Sequence, residues 1–135
     1  MKTSIVQKTI LIISGLIASG IGATILFAPV MFYASYGIAL NGDFNLLNEI
    51  RASGGALLAS GILIVSGAFV EKLTLTAAVV SSLLYLSYGA SRVMSIVIDG
   101  VPAEGLVQAA VFEIVTGLVC VFALVNYQAR QKESV

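Results

Sequence analysis

TILIISGLIASGIGATILFA, residues 9–28, runs for twenty positions without one charged side chain. As a helix rising ~1.5 Å per residue it is ~30 Å long, the thickness of the hydrocarbon core of a bilayer. Apolar and small residues occupy every face of that helix, so no side of it is suited to water. Pro29 ends the stretch, because proline cannot continue the backbone hydrogen-bond ladder. Lys2 and Lys8 precede it as basic residues precede a secretory signal, yet a signal core spans only about 7–15 residues. The stretch is therefore read as a retained span.

Three more segments repeat the pattern. The second, 44–70, follows Asn41-Gly42-Asp43, which supplies turn and N-cap chemistry. The third, 73–98, follows the polar break Glu71-Lys72. The fourth, 103–126, follows Asp99-Gly100-Val101-Pro102, with Pro102 suited to a first helical turn. In lipid only helices and closed barrels satisfy the backbone, and these runs are too long and too uniformly apolar for barrel strands. The prediction is an all-α membrane protein, a four-transmembrane-helix bundle forming one domain over residues 1–135.

Composition agrees. Of 135 residues 59% are hydrophobic and 10% charged, and the mean hydropathy is +1.03, a balance that cannot clothe a water-soluble surface. The net charge of zero gives no argument for a nucleic-acid partner. The chain has no histidine, which removes Ser-His-Asp and Cys-His nucleophilic arrangements. Its single cysteine, Cys120, lies in an apolar run, so neither a disulfide framework nor a CxxC metal site is available. No cofactor is implied.

Charge sets the expected orientation. Lys2, Lys8, Lys72, Arg130 and Lys132 fall on the side shared by both termini, whereas the other side carries Asp43, Asp99 and Glu104. The positive-inside rule then puts both termini in the cytoplasm of a multi-pass inner-membrane protein. Phe32, Tyr33 and Tyr36 are expected to form an outer interfacial belt, and Tyr127 an inner one. Glu49-Ile50 and Glu113-Ile114 lie 64 positions apart, as do Thr9 and Leu73. That suggests two helical hairpins related by a parallel repeat.

Five charges lie inside or at the mouth of the spans: Glu49, Arg51, Arg92, Asp99 and Glu113. An isolated charge near the centre of hydrocarbon costs at least ~2.5–3.5 kcal/mol on insertion scales, so each calls for a partner or a role. Counting along the helices puts all five in the outer half of the bilayer, with Glu113 deepest. Tyr85, Tyr88, Arg92, Ser95 and Asp99 recur at spacings of three, four and four and share one helix face. Ala109, Glu113, Thr116 and Gly117 or Cys120 make a small-residue face on the fourth span. The expectation is one cluster centred on Arg92, with a bidentate Arg–carboxylate pair satisfying its donors. The candidate ligand-binding or charge-cluster residues are Glu49, Arg51, Tyr88, Arg92, Ser95, Asp99 and Glu113; no catalytic residue and no metal ligand is assigned. The small residues of the first two spans, among them Gly15, Gly22, Gly54 and Gly61, are read as close helix packing.

The stretch Glu49-Ile50-Arg51-Ala52-Ser53-Gly54-Gly55, then Arg92 with Ser95, Asp99-Gly100-Val101-Pro102 and Glu113, resembles the bacterial family known as domain of unknown function 4345. More distantly it is similar to the DoxX-like group of four-helix membrane proteins. The resemblance covers nearly the whole chain and implies a four-helix inner-membrane protein. It brings no activity. In that family a glycine often precedes the third-span arginine, where this chain has Ser91.

Three functional readings stand. The first is a membrane-embedded module that binds or transports a small amphipathic or anionic ligand from the outer face. Arg92 and Arg51 would hold the ligand, and Glu113 or Glu49 would be a proton-titrating partner. The second is an accessory protein whose charges only fix helix packing. The third, ranked last, is an intramembrane isomerase or quinone-linked oxidoreductase with Glu113 as acid or base. The expected partners are the lipid bilayer, a small hydrophobic or anionic ligand, and further copies of the chain where a transport path must be enclosed.

Overall fold

Where the sequence places polar punctuation between apolar runs, the chain turns. The computed structural model describes residues 3–133. Helix α1 is Ile5–Phe27, α2 is the short Pro29–Ala34, α3 is Phe44–Phe69, α4 is Thr74–Asp99 and α5 is Glu104–Glu133. A single 3-10 turn, Glu71–Leu73, joins α3 to α4. Among the described residues there is no strand. Four of the helices are long and apolar enough to cross a membrane. The molecule is an all-helical, multi-pass membrane protein.

Local chemistry sets each boundary. Ser4 caps α1 by accepting from the Gln7 N–H at 3.2 Å. That starts the helix at Ile5, four residues before the apolar run begins. Pro29 ends α1 as expected, but it also opens α2 at the first helical position, a short helix the sequence reading treated as connection. Asp43 caps α3 from the predicted position, accepting from Asn45 and Leu46 at 2.9 and 3.2 Å. Gly42, just before it, has φ +70°, a conformation that favours glycine. Gly100, with φ +102°, ends α4 in the same way.

The four long helices alternate in direction. The Thr3 and Thr74 hydroxyls lie 3.3 Å apart, which puts the start of α1 beside the start of α4. Both ends of the described chain and the Glu71–Leu73 turn therefore share one end of the bundle. Helix α2, Asp43 and the α4–α5 connection share the other. The most extensive pairings are α1 with α3 and α4 with α5, each a pair of consecutive spans.

Missing side chains allow the α1–α3 pair. A Cβ on Gly15 would come within 2.9 Å of the Gly61 carbonyl, and one on Gly54 within 2.8 Å of the Leu26 N–H. On α4 and α5, a Cβ on Gly89 would meet Ile114 at 2.6 Å and one on Gly117 would meet Leu86 at 2.6 Å. In lipid, where solvent does not drive helices together, such close approach supplies the dispersion contact that holds them. Outward, Val111, Val115, Leu118, Phe122 and Val125 form an exposed apolar stripe along α5, the face a bilayer covers.

Candidate functional site

An open cavity of about 580 Å³ lies between the helices in the half of the bundle away from the termini. Its deep wall is apolar, with Ala18 and Ile25 from α1, Leu57 from α3, and Leu84 and Phe112 from α4 and α5. Its polar groups are few: Arg92, Glu113 and Gln108, with the hydroxyls of Tyr33, Tyr36, Ser53, Tyr85 and Tyr88.

Helical register brings the central pair together. On α5 the buried stripe is Ala110, Gly117, Cys120 and Ala123, and Glu113 lies on the same side, one turn from Ala110 and from Gly117. Gly89 lets α4 press against α5 at Ile114, next to Glu113, and Arg92 follows Gly89 by three residues. The Arg92 Nε donates to Glu113 Oε2 at 2.8 Å, with side-chain exposures of 33% and 14%. The contact is single, not the bidentate pair expected from the sequence. Among the described residues both terminal guanidinium nitrogens of Arg92 and the second Glu113 oxygen have no hydrogen-bond partner, and both residues line the cavity. Arg carries five N–H donors, of which the Glu113 contact takes one.

Of the other residues singled out by sequence, one stays at the cavity and four fall elsewhere. Tyr88 lies on the cavity wall with Arg92. Glu49 is exposed and has no polar partner among the described residues. Helix α3 has 26 residues and is ~39 Å long, longer than a ~30 Å core. The stretch 52–69 has no charged residue, and Glu49 lies outside it, six residues from the Asp43 cap. Arg51 reaches sideways to donate to the Leu26 carbonyl in the last turn of α1. There it satisfies an end carbonyl that the Pro29 break leaves without its usual N–H. Ser95 donates to Asp99 at 3.0 Å, an exposed local pair at the end of α4. None of these four lines the cavity. The single five-charge cluster resolves into a central Arg92–Glu113 pair and separate peripheral charges.

Several wall residues had not been selected as site residues. Phe32, Tyr33 and Tyr36, expected as an interfacial belt, also line the cavity, brought there by α2 and the residues after it. Phe32 packs edge-on against Tyr33 and Tyr36 at 5.4 and 5.5 Å. Leu40, 5% exposed, pins the following loop into the core. Gln108 was legible as a polar residue on the fourth span, five positions before Glu113. Tyr85 is a packing tie, since its hydroxyl donates to the Ser14 carbonyl at 2.6 Å and links α4 to α1. Among the described residues no group of three or more His, Cys, Asp or Glu is placed to hold a metal ion.

No curated protein and no solved structure matches the chain. The sequence matches the family described as Domain of unknown function (DUF4345) over residues 6–124, from the first helix through most of the last. That span includes every residue of the cavity wall, and the chain belongs to the DUF4345 family.

Proposed function

We propose that this protein is a membrane-embedded binding module for a small amphipathic ligand with an anionic head, entering from the outer face. One observation carries the reading. Arg92 spends only its Nε on Glu113, and its remaining donors border an open, mostly apolar recess. A recess of about 580 Å³ is within the range of ligand sites, about 300–1,000 Å³, and combines apolar walls with few polar groups as such sites do. The ligand's acceptor would lie against the Arg92 fork and its apolar part against Ile25, Leu57 and Phe112. Gln108 and Tyr88 are at hand for further hydrogen bonds. Transport by this route would need several copies of the chain to enclose a path.

The same reading puts the protein in the inner membrane with both termini in the cytoplasm. It rests on Lys8, Lys72, Arg130 and Lys132 at one end of the bundle and Asp43, Asp99 and Glu104 at the other. Lys2, expected at the same end as these lysines, lies outside the described residues.

The alternative is an accessory protein in which the pair only fixes helix packing. The 2.8 Å Arg92–Glu113 contact bridges α4 and α5 next to the close approach at Gly89, which favours that role. Native mass spectrometry of the detergent-extracted wild type, Arg92→Ala and Glu113→Gln separates the two. Binding predicts a small-molecule adduct on the wild type that Arg92→Ala loses while still accumulating in the membrane. An adduct-free wild type, with both variants failing to accumulate, would assign the pair to packing.

A further inference from the structure

Among the described residues, the charged ones on the wall of the large cavity are Arg92 and Glu113, and they touch at 2.8 Å. Their charges cancel before any ligand arrives. A purely anionic head would leave a mostly apolar recess with net negative charge and set that charge beside Glu113, and both effects disfavour it. The pair offers hydrogen bonds of both kinds. The terminal guanidinium nitrogens of Arg92 can only donate, and the second Glu113 oxygen, as part of a carboxylate, can only accept. That oxygen is not sealed inside the protein. Among the described residues the one buried side-chain polar atom without a partner is Gln7 Nε2, so the Glu113 oxygen keeps accessible surface. Aromatic rings attract cations as well, and four of the five tyrosines, Tyr33, Tyr36, Tyr85 and Tyr88, line this cavity.

Resting on the binding role proposed above, we infer that the ligand's head is zwitterionic, an anionic group beside an ammonium that keeps its N–H donors. The anionic group meets the Arg92 guanidinium and the ammonium meets the free Glu113 oxygen, so the occupied site stays neutral. The wall points to a membrane lipid as the source. Ile21 on α1 and Phe112 on α5 line the cavity and are 37% and 44% exposed. They lie six and eight residues from the helix ends at Phe27 and Glu104, about 9 and 12 Å into the spans. An exposed apolar wall at that depth meets acyl chains, so a lipid tail can run from the cavity into the bilayer. A lipid phosphate bearing a primary amine, as in an aminophospholipid, has this chemistry.

The test is native mass spectrometry of the full chain in maltoside detergent with oleoyl lysophosphatidylethanolamine, with oleoyl lysophosphatidylglycerol, and with phosphoethanolamine alone. The two lysolipids share a tail and a phosphate and differ in the ammonium. The wild type is expected to retain the ethanolamine lipid about tenfold more strongly. Glu113→Gln keeps the shape of the carboxylate and removes its charge, so the preference should vanish or reverse, and Arg92→Ala should release both lipids. Equal retention by the wild type, a preference for the glycerol lipid, or an unchanged preference in Glu113→Gln would overturn the zwitterion while leaving binding at Arg92 in place. Retention of neither lipid would remove the binding role and this inference with it. The wild-type comparison involves no variant, so it decides the matter even where Glu113→Gln fails to fold. Phosphoethanolamine held as strongly as its lysolipid would rule out the membrane as the source.

Discussion

Arg51 and Arg92 carry the same charge and meet different ends. Arg51 donates to the Leu26 carbonyl and closes the end of α1, so Arg51→Ala should cost about 1 kcal/mol of stability in a detergent unfolding titration. Arg92 shares one nitrogen with Glu113, and the pair is only partly buried. Replacing both by apolar residues of similar size, Arg92→Met with Glu113→Leu, should leave stability within about 1–2 kcal/mol of wild type while abolishing ligand retention. A large loss of stability would instead mark the pair as the bundle's main tie. Glu49→Gln and Asp99→Asn touch exposed, peripheral groups and should shift stability by no more than about 0.5 kcal/mol. All five charges stood out in the sequence, because charge in an apolar run is conspicuous. Their separation shows on α3 only once its buried stripe is known: Ile50, Gly54, Leu57, Gly61 and Ile64 trace it, and Glu49 and Arg51 flank it by about 100° on either side. What one helix cannot reveal is its rotation against the next, which decides whether Arg92 meets Glu113 by its edge or its fork.

Glycines decide how the helices meet, and their neighbours differ sharply. On α3, a Cβ at Gly61 would collide with Ser19 of α1, including its backbone, whereas one at Gly55 would meet nothing within 4 Å. Gly61→Ala should therefore destabilise the protein by about 1–3 kcal/mol through overpacking. Gly55→Ala should be neutral or stabilising by up to about 1 kcal/mol, because alanine favours the helix. Thermal unfolding of the two variants, six residues apart on one helix, checks this; equal losses would show that helix propensity and not close approach governs α3. Four long helices were readable from apolar runs and from the capping chemistry of Asp43. Helix α2 was not, since six residues opening on a proline carry no periodicity to detect. It adds Phe32 and Tyr33 to the cavity wall, and Tyr36 follows just after it.

Over the whole molecule the two ends differ in charge, which gives the orientation a direct check. Cys120 is 1% exposed and should not react with a membrane-impermeant maleimide in intact cells. A cysteine placed at Asn41 should be labelled from outside, and one placed at Lys72 only after permeabilisation; the reverse pattern would invert the topology. The four-helix architecture follows from length and hydropathy alone, but the cavity is lined by residues of all five helices, an arrangement that no single span encodes. The role of that cavity is open to one measurement above others: the side-chain ¹⁵N resonances of Arg51 and Arg92 in lipid nanodiscs during titration with decanoate, an amphipathic anion. Arg92 should shift saturably while Arg51, held by the Leu26 carbonyl, stays in place. An unmoved Arg92, or two arginines shifting together without saturation, would contradict a ligand site at the Arg92 fork.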